Sequence, residues 1–197
     1  MRSGLALGLA LVALPAPAEA HLVGTEFGDF YAGALHLLSG PEYLALLLGL
    51  AVVVAASPPE AGRWSLAALP LALVPGAVAG LLGDPLAGAE AYLAGVIALT
   101  GGLGVLARAL PGPALAALAA AAGGLIGYEN ARPGAVAGID PLIYGAGVVA
   151  TGTVVGTLAI AFATHYRDWK IWATMAQRAL GSWIAAVGML FLAVTLL

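Results

Sequence analysis

Two of the three histidines and three of the ten acidic residues lie in one short stretch of this apolar chain, residues 21–43. Ala18-Glu19-Ala20 has the A-x-A form of a signal-peptide cleavage site, so His21 is the predicted first residue of the mature chain. A free α-amine has a pKa of about 7.7–8.0, and a metal ion can displace its proton at neutral pH. His21 can therefore bind one metal ion through its amine and its imidazole. Two nitrogen ligands suit late first-row divalent ions, with copper(II) bound more tightly than nickel(II).

Other side chains in this stretch could complete the metal site. Glu26, Asp29 and His36 are the nearest candidates. Asp29 and His36 are seven residues apart, which places them on one stripe of a helix, two turns from each other. On a straight helix they are too far apart to bind one ion, so they could instead act as successive binding positions.

Glu42 has two interpretations, because Ser39-Gly40-Pro41-Glu42 has the form of a helix-capping box. In the first, Glu42 is a structural cap of a helix that restarts here, which would break the first membrane helix near Gly40-Pro41. In the second, Glu42 is a metal ligand. Ionisable groups inside a membrane are costly and are functional candidates by default, an argument that applies to His36 as well.

Polar residues elsewhere add little chemistry. Glu129 and Asn130 end the fourth predicted span and are possible accessory ligands for an ion. His165 lies in a predicted interfacial loop. The chain has no cysteine, which excludes thiolate metal sites and disulfides. No phosphate-binding loop, nucleophile elbow or pair of catalytic carboxylates is recognisable, so we predict neither an enzyme nor an organic cofactor.

The composition indicates a membrane protein. Hydrophobic residues make up 62% of the chain and charged residues only 9%, whereas soluble domains carry about 25% charged residues. The surface must therefore contact the lipid bilayer. No basic patch is present, which argues against a nucleic-acid partner.

The fold class expected is all-α, a polytopic bundle of about six transmembrane helices after a cleaved signal peptide. Residues 1–20 are the predicted signal peptide and residues 21–197 a single transmembrane domain. The spans predicted from hydrophobic runs are 28–56, 64–83, 90–109, 113–130, 139–164 and 172–197.

With the mature N-terminus on the periplasmic side of a bacterial inner membrane, four of the basic residues fall at cytoplasmic loops: Arg63, Arg108, Arg167 and Lys170. This agrees with the positive-inside rule. Three glycine pairs at a spacing of four predict close helix packing: Gly76 and Gly80, Gly123 and Gly127, and Gly152 and Gly156.

The mature sequence resembles the HupE/UreJ family of membrane proteins, which is associated with nickel uptake. The likeness rests on a few motifs: His21-Leu22-Val23, Gly28-Asp29-Phe30-Tyr31-Ala32-Gly33, His36, Pro41-Glu42, and the last helix at Arg178–Leu192. A weaker likeness lies at Leu125–Ala131. The resemblance implies a permease for nickel or cobalt.

Several positions depart from the family pattern. The family's first-helix motif His-Pro-x-x-Gly-x-Asp-His reads His36-Leu-Leu-Ser-Gly-Pro-Glu42-Tyr43 here, so its second histidine is a tyrosine. Ile126 stands where relatives have a fourth-helix histidine, and Ala32 where they often have aspartate. The resemblance therefore supports a metal-handling membrane protein more firmly than it supports nickel.

Two functions remain open at this stage. The first is a secondary-type permease for a divalent transition metal ion that uses His21, Asp29, His36 and Glu42. The second is a non-transporting metal-binding or assembly protein. It would present the His21 chelate, with copper as a possible ion, to a periplasmic or membrane partner protein.

N-terminal sequencing of the purified protein tests the amine chelate. We expect the mature chain to begin at His21, because cleavage after Ala20 follows from the A-x-A site. A different first residue would remove the second nitrogen ligand and with it the chelate.

Overall fold

The described part of the chain is entirely helical. A computed structural model describes residues 28–132, 138–167 and 171–197. Within them lie seven helices: α1 (Asp29–Ser39), α2 (Pro41–Ala55), α3 (Pro59–Leu82), α4 (Ala89–Leu106), α5 (Gly112–Asn130), α6 (Pro141–Tyr166) and α7 (Ile171–Thr195). The predicted signal peptide lies outside the described residues.

The helices have the length and apolarity of membrane spans. Four of those described qualify individually, namely α3, α4, α6 and α7. The pair α1 and α2 qualifies together as one broken span, which makes up to five. Helix α5 occupies the fourth predicted span but is not among them, so the number six stays a prediction. The chain is a polytopic helical membrane protein, as the composition predicts.

The first span is broken where the sequence predicts. Helices α1 and α2 meet at Gly40 with a bend of 70°. Pro41 occupies the first turn of α2, where a missing N–H costs nothing. The predicted capping box, however, is wrong. Gly40 is the cap residue and no side chain caps α2, while the Ser39 hydroxyl donates to the His36 carbonyl at 2.8 Å. Ser39 therefore ends α1 instead of starting α2.

Two of the three predicted glycine pairs bring helix backbones into contact, whereas Gly152 and Gly156 meet leucine side chains. A Cβ added at Gly123 would lie 2.5 Å from the Leu69 carbonyl oxygen, and one added at Gly76, Gly80 or Gly127 would also meet backbone of the facing helix. These residues make the α3–α5 contact the most extensive in the described bundle. Helices α4 and α7 pack in the same way, with Gly181 against the backbone of Val105. Such contacts drive association where lipid removes the hydrophobic driving force.

The outside of the bundle is apolar. Leu71 is 74% exposed, Phe162 67% and Trp183 76%. Exposure on this scale would be costly in water, and it fits a surface covered by lipid tails. The interior is filled by leucine, alanine and valine from α2, α3 and α5, with Leu46, Leu69 and Leu115 fully buried.

Charged residues divide between the two ends of the bundle. The acidic end holds Glu42 and Glu90, near the starts of α2 and α4, and Glu129, at the end of α5. The basic end holds Arg63 and Arg167, at the start of α3 and the end of α6.

Two neighbouring glycines of α5 provide a test of the packing. We expect Gly123→Ala to lower the free energy of unfolding by about 1–3 kcal/mol, because its methyl group would overlap the α3 backbone. Gly124→Ala is the matched control, since a Cβ there meets nothing within 4 Å. Unfolding of both variants in detergent measures the difference. Equal stability would contradict the backbone contact.

Candidate functional site

Three carboxylates line one chamber at the acidic end. The acidic chamber is defined here as the cavity of about 340 Å³ lined by Glu42, Tyr43, Glu90 and Glu129, with apolar walls from α4 and α7. A second cavity of about 520 Å³ adjoins it, because Glu90, Glu129 and Thr195 line both. The helix directions explain this grouping, since α2 and α4 begin at the end where α5 and α7 finish.

Two of the carboxylates, Glu90 and Glu129, lie within electrostatic range of each other. Glu129 lies within range of the charges of Glu90 and Arg132, and Tyr43 within range of Glu42 and Glu129. Like charges lining a cavity with low-dielectric walls attract counter-ions and raise their local concentration. The chamber is therefore suited to draw in a cation.

Asn130 lies beside Tyr43, which lines the chamber. Its side chain is fully buried, and its amide nitrogen donates to the Ile126 carbonyl at 2.9 Å. Its Oδ1 atom accepts no hydrogen bond in the described part of the chain, although the Tyr43 side chain lies within hydrogen-bonding range of this amide. A buried amide oxygen without a donor is unfavourable unless something binds it. Asn130 borders the chamber through Tyr43 and does not itself line the cavity.

Arg132 holds the rim of the chamber in place. Its guanidinium donates to the carbonyls of Gly80 and Gly83, the latter at 2.7 Å, and so caps the C-terminal end of α3. It also lies over the Tyr128 ring at 5.1 Å from the centroid. The Tyr128 hydroxyl in turn donates to the Asp84 carbonyl. These bonds fix the end of α5, and Glu129 with it, against α3.

Asp29 and His36 lie outside the chamber. The Asp29 carboxylate accepts a hydrogen bond from the Asp140 backbone N–H at 2.9 Å, which ties the start of α1 to the start of α6. The half-buried His36 ring lies 6.1 Å from the Tyr144 ring. Seven residues of helix separate the two by about 10 Å. The structure places neither of them among the chamber carboxylates.

The remaining predicted ligands are placed as follows. His21 and Glu26 lie outside the described residues. Glu42 and Glu129 line the chamber, and Asn130 is buried beside Tyr43. Over residues 28–132, 138–167 and 171–197, no three histidine or acidic side chains come close enough to hold one ion. The chamber is therefore an open acidic cavity, distinct from a closed metal centre.

One residue of the site, Glu90, was not predicted from the sequence. Glu90 stood at the first position of the third predicted span, 90–109, without a functional role. His165, which does not line the chamber, was predicted to lie in an interfacial loop. Glu90 lies in the first turn of α4, and His165 in the last turn of α6. The alternation of helix directions was the available signal for Glu90, because it places the start of the third span beside the end of the fourth.

Asp29 offers a test of its structural contact. We expect Asp29→Ala to lower the free energy of unfolding by about 1 kcal/mol, because the Asp140 N–H loses its acceptor. Asp29→Asn keeps an acceptor oxygen and should remain close to wild type, as should the control Asp84→Ala. Thermal unfolding in detergent distinguishes these outcomes. An alanine variant as stable as wild type would show that the hydrogen bond between Asp29 and Asp140 does not stabilise the fold.

Comparison with known proteins supplies the family. The model of the HupE / UreJ protein family matches residues 9–191, nearly the whole chain. No match was found among curated proteins or among solved structures. The match agrees with the motifs at both ends of the sequence and with the polytopic helical fold. The chain belongs to the HupE/UreJ family of membrane proteins, which is related to nickel and cobalt transport.

Proposed function

We propose that this chain is a secondary-type permease for a divalent transition metal ion, nickel or cobalt. The observation that carries the proposal is the acidic chamber, where Glu42, Glu90 and Glu129 line one cavity. Burying a carboxylate in a membrane bundle costs free energy, so carboxylates found there commonly belong to ion pathways.

The openness of the site favours passage over storage. A carrier must bind its ion strongly enough to admit it and weakly enough to release it. A chamber with carboxylates on three different helix ends, and without three ligands around one point, meets both conditions better than a closed site would. The described chain has no nucleotide-binding element, so the proposed transport is secondary.

The proposed orientation places the acidic chamber on the periplasmic side of the inner membrane. Arg63, Arg108 and Arg167 then face the cytoplasm, as the positive-inside rule requires, and Arg132 alone faces outward among the described basic residues at the helix ends. In this orientation the predicted His21 chelate would stand on the side from which the ion enters. His21 and His36 would offer nitrogen ligands to the ion outside the chamber.

Metal accumulation in cells tests the permease directly. We expect Glu42→Gln and Glu129→Gln to lower nickel or cobalt uptake at subsaturating metal by at least about tenfold, because each removes a charged oxygen ligand. His36→Ala should lower it as well. Glu60→Gln is the matched control, since Glu60 is exposed in the first turn of α3 at the basic end. Uptake is normalised to the amount of protein in the membrane.

The same experiment distinguishes the permease from the alternative function. The permease proposal would be contradicted if cells with the wild-type protein, cells with His36→Ala and cells without the protein accumulated equal amounts of metal while the purified protein still bound metal. That outcome would support the non-transporting metal-binding or assembly protein.

A further inference from the structure

The basic end of the bundle contains a cavity that the proposed transport does not use. The basic cavity, about 540 Å³, lies between the α2–α3 connection and the end of α6. Arg63, His165 and Arg167 line it, together with two hydroxyl side chains, Ser57 and Thr164. Guanidinium groups bind phosphate with a matching fork of donors, and hydroxyl groups add further donors. These side chains suit a phosphate group.

Arg167 is held in position by the structure around it. Its Nη1 atom donates to the Ser57 carbonyl at 3.0 Å. Ser57 is itself fixed, because its hydroxyl accepts from the Leu110 backbone N–H at 3.0 Å and contacts the Val53 carbonyl at 3.3 Å. A guanidinium already anchored at a helix end loses less conformational entropy when it binds an anion.

An apolar groove begins where the basic cavity ends. The lipid groove is defined here as the space of about 760 Å³ between α6 and α7, floored by Leu48, Ala51 and Val52 of α2. It is open because α6 and α7 make little direct contact in the described residues. Arg167 and Ala161 line both the groove and the basic cavity. The two spaces therefore form one site with a cationic end and an apolar end.

A row of aromatic rings runs from the basic cavity to the lipid groove and indicates how deep each lies in the membrane. The His165 ring packs edge-on against Tyr166 at 4.9 Å, and Tyr166 lies 4.6 Å from Phe162. His165 faces the cavity, whereas Tyr166 and Phe162 line the groove. Trp64, 57% exposed at the same end, fits the aromatic belt of a membrane interface. The cationic end thus lies at headgroup depth and the groove at acyl-chain depth.

We propose that this site binds one anionic phospholipid, with its phosphate headgroup at Arg63 and Arg167 and an acyl chain in the lipid groove. A free phosphate would use the cavity and leave the groove empty, whereas a phospholipid fills both. Basic pockets between membrane helices bind anionic headgroups in this way. The proposal is independent of metal transport, since the site lies at the opposite end of the bundle from the acidic chamber.

Lipid titration of the delipidated full-length protein, followed by native mass spectrometry, tests the site. We expect one palmitoyl-oleoyl phosphatidylglycerol to bind about tenfold more tightly than phosphatidylcholine with the same chains. Arg63→Gln and Arg167→Gln should each weaken phosphatidylglycerol binding about fivefold, by loss of one interfacial charge. Ala176→Phe, at an exposed position in the groove, should weaken both lipids. Arg108→Gln is the control, because Arg108 is exposed in the α4–α5 connection and lines neither space.

Several outcomes would overturn the proposal. Equal binding of the two lipids would indicate ordinary annular lipid, and equal effects of Arg63→Gln and Arg108→Gln would exclude a specific headgroup site. Glycerol 3-phosphate binding as tightly as phosphatidylglycerol would leave only a free-anion site. A dimer that Ala176→Phe dissociates would assign the groove to a second copy. Arg63 is exposed, so its variant remains informative even if loss of the Arg167–Ser57 bond impairs folding.

Discussion

The close approach of the α3 and α5 backbones is the contact on which the acidic end depends. Without a hydrophobic drive between helices in lipid, association rests on van der Waals packing at short range, which side chains larger than hydrogen would prevent at Gly76, Gly80 and Gly123. That packing carries α5 to its last turn beside the end of α3. There Arg132 can reach the Gly80 carbonyl, and Glu129 is held at the chamber wall. Glycine spacing in two helices thus determines where an acidic side chain lies.

The break at Gly40 positions the other wall of the acidic chamber, which Glu42 lines. A continuous helix from Asp29 to Ala55 would carry α1 and α2 along one axis. Because the chain bends by 70° instead, α2 starts at the chamber with Glu42 in its first turn, while α1 packs along α6. A carboxylate there interacts favourably with the helix dipole without serving as a cap. The absence of a side-chain cap on α2 leaves Glu42 available to the cavity, which the capping interpretation had not allowed.

The sequence predicted the helices and the break well, because hydrophobic runs, prolines and glycine spacing are local signals. Helix bounds agree within a few residues at most ends, for example 141–166 against the predicted 139–164. The partners of individual side chains were harder to predict from the sequence. The Ser39 hydroxyl donates to the preceding His36 carbonyl. The Asp29 carboxylate accepts from the Asp140 N–H, 111 residues away, and no local pattern predicts that contact. Glu90 was missed for the same reason, since its neighbours Glu42 and Glu129 belong to other spans.

The chemistry of the chamber also limits where metal selectivity can arise. Carboxylate, amide and phenol oxygens suit hard cations, and they do not by themselves favour nickel or cobalt. Selectivity in the proposed permease must therefore come from nitrogen ligands, and the described helix α1 supplies His36. His36 lies against Tyr144, which is buried and within electrostatic range of Tyr43 at the chamber wall. Tyr144 thus lies beside the imidazole and Tyr43 beside the carboxylates, and Tyr43 occupies the position where the family motif has its second histidine. An ion moving between the imidazole and the carboxylates would exchange nitrogen for oxygen ligands, and the weaker binding to oxygen would favour its release.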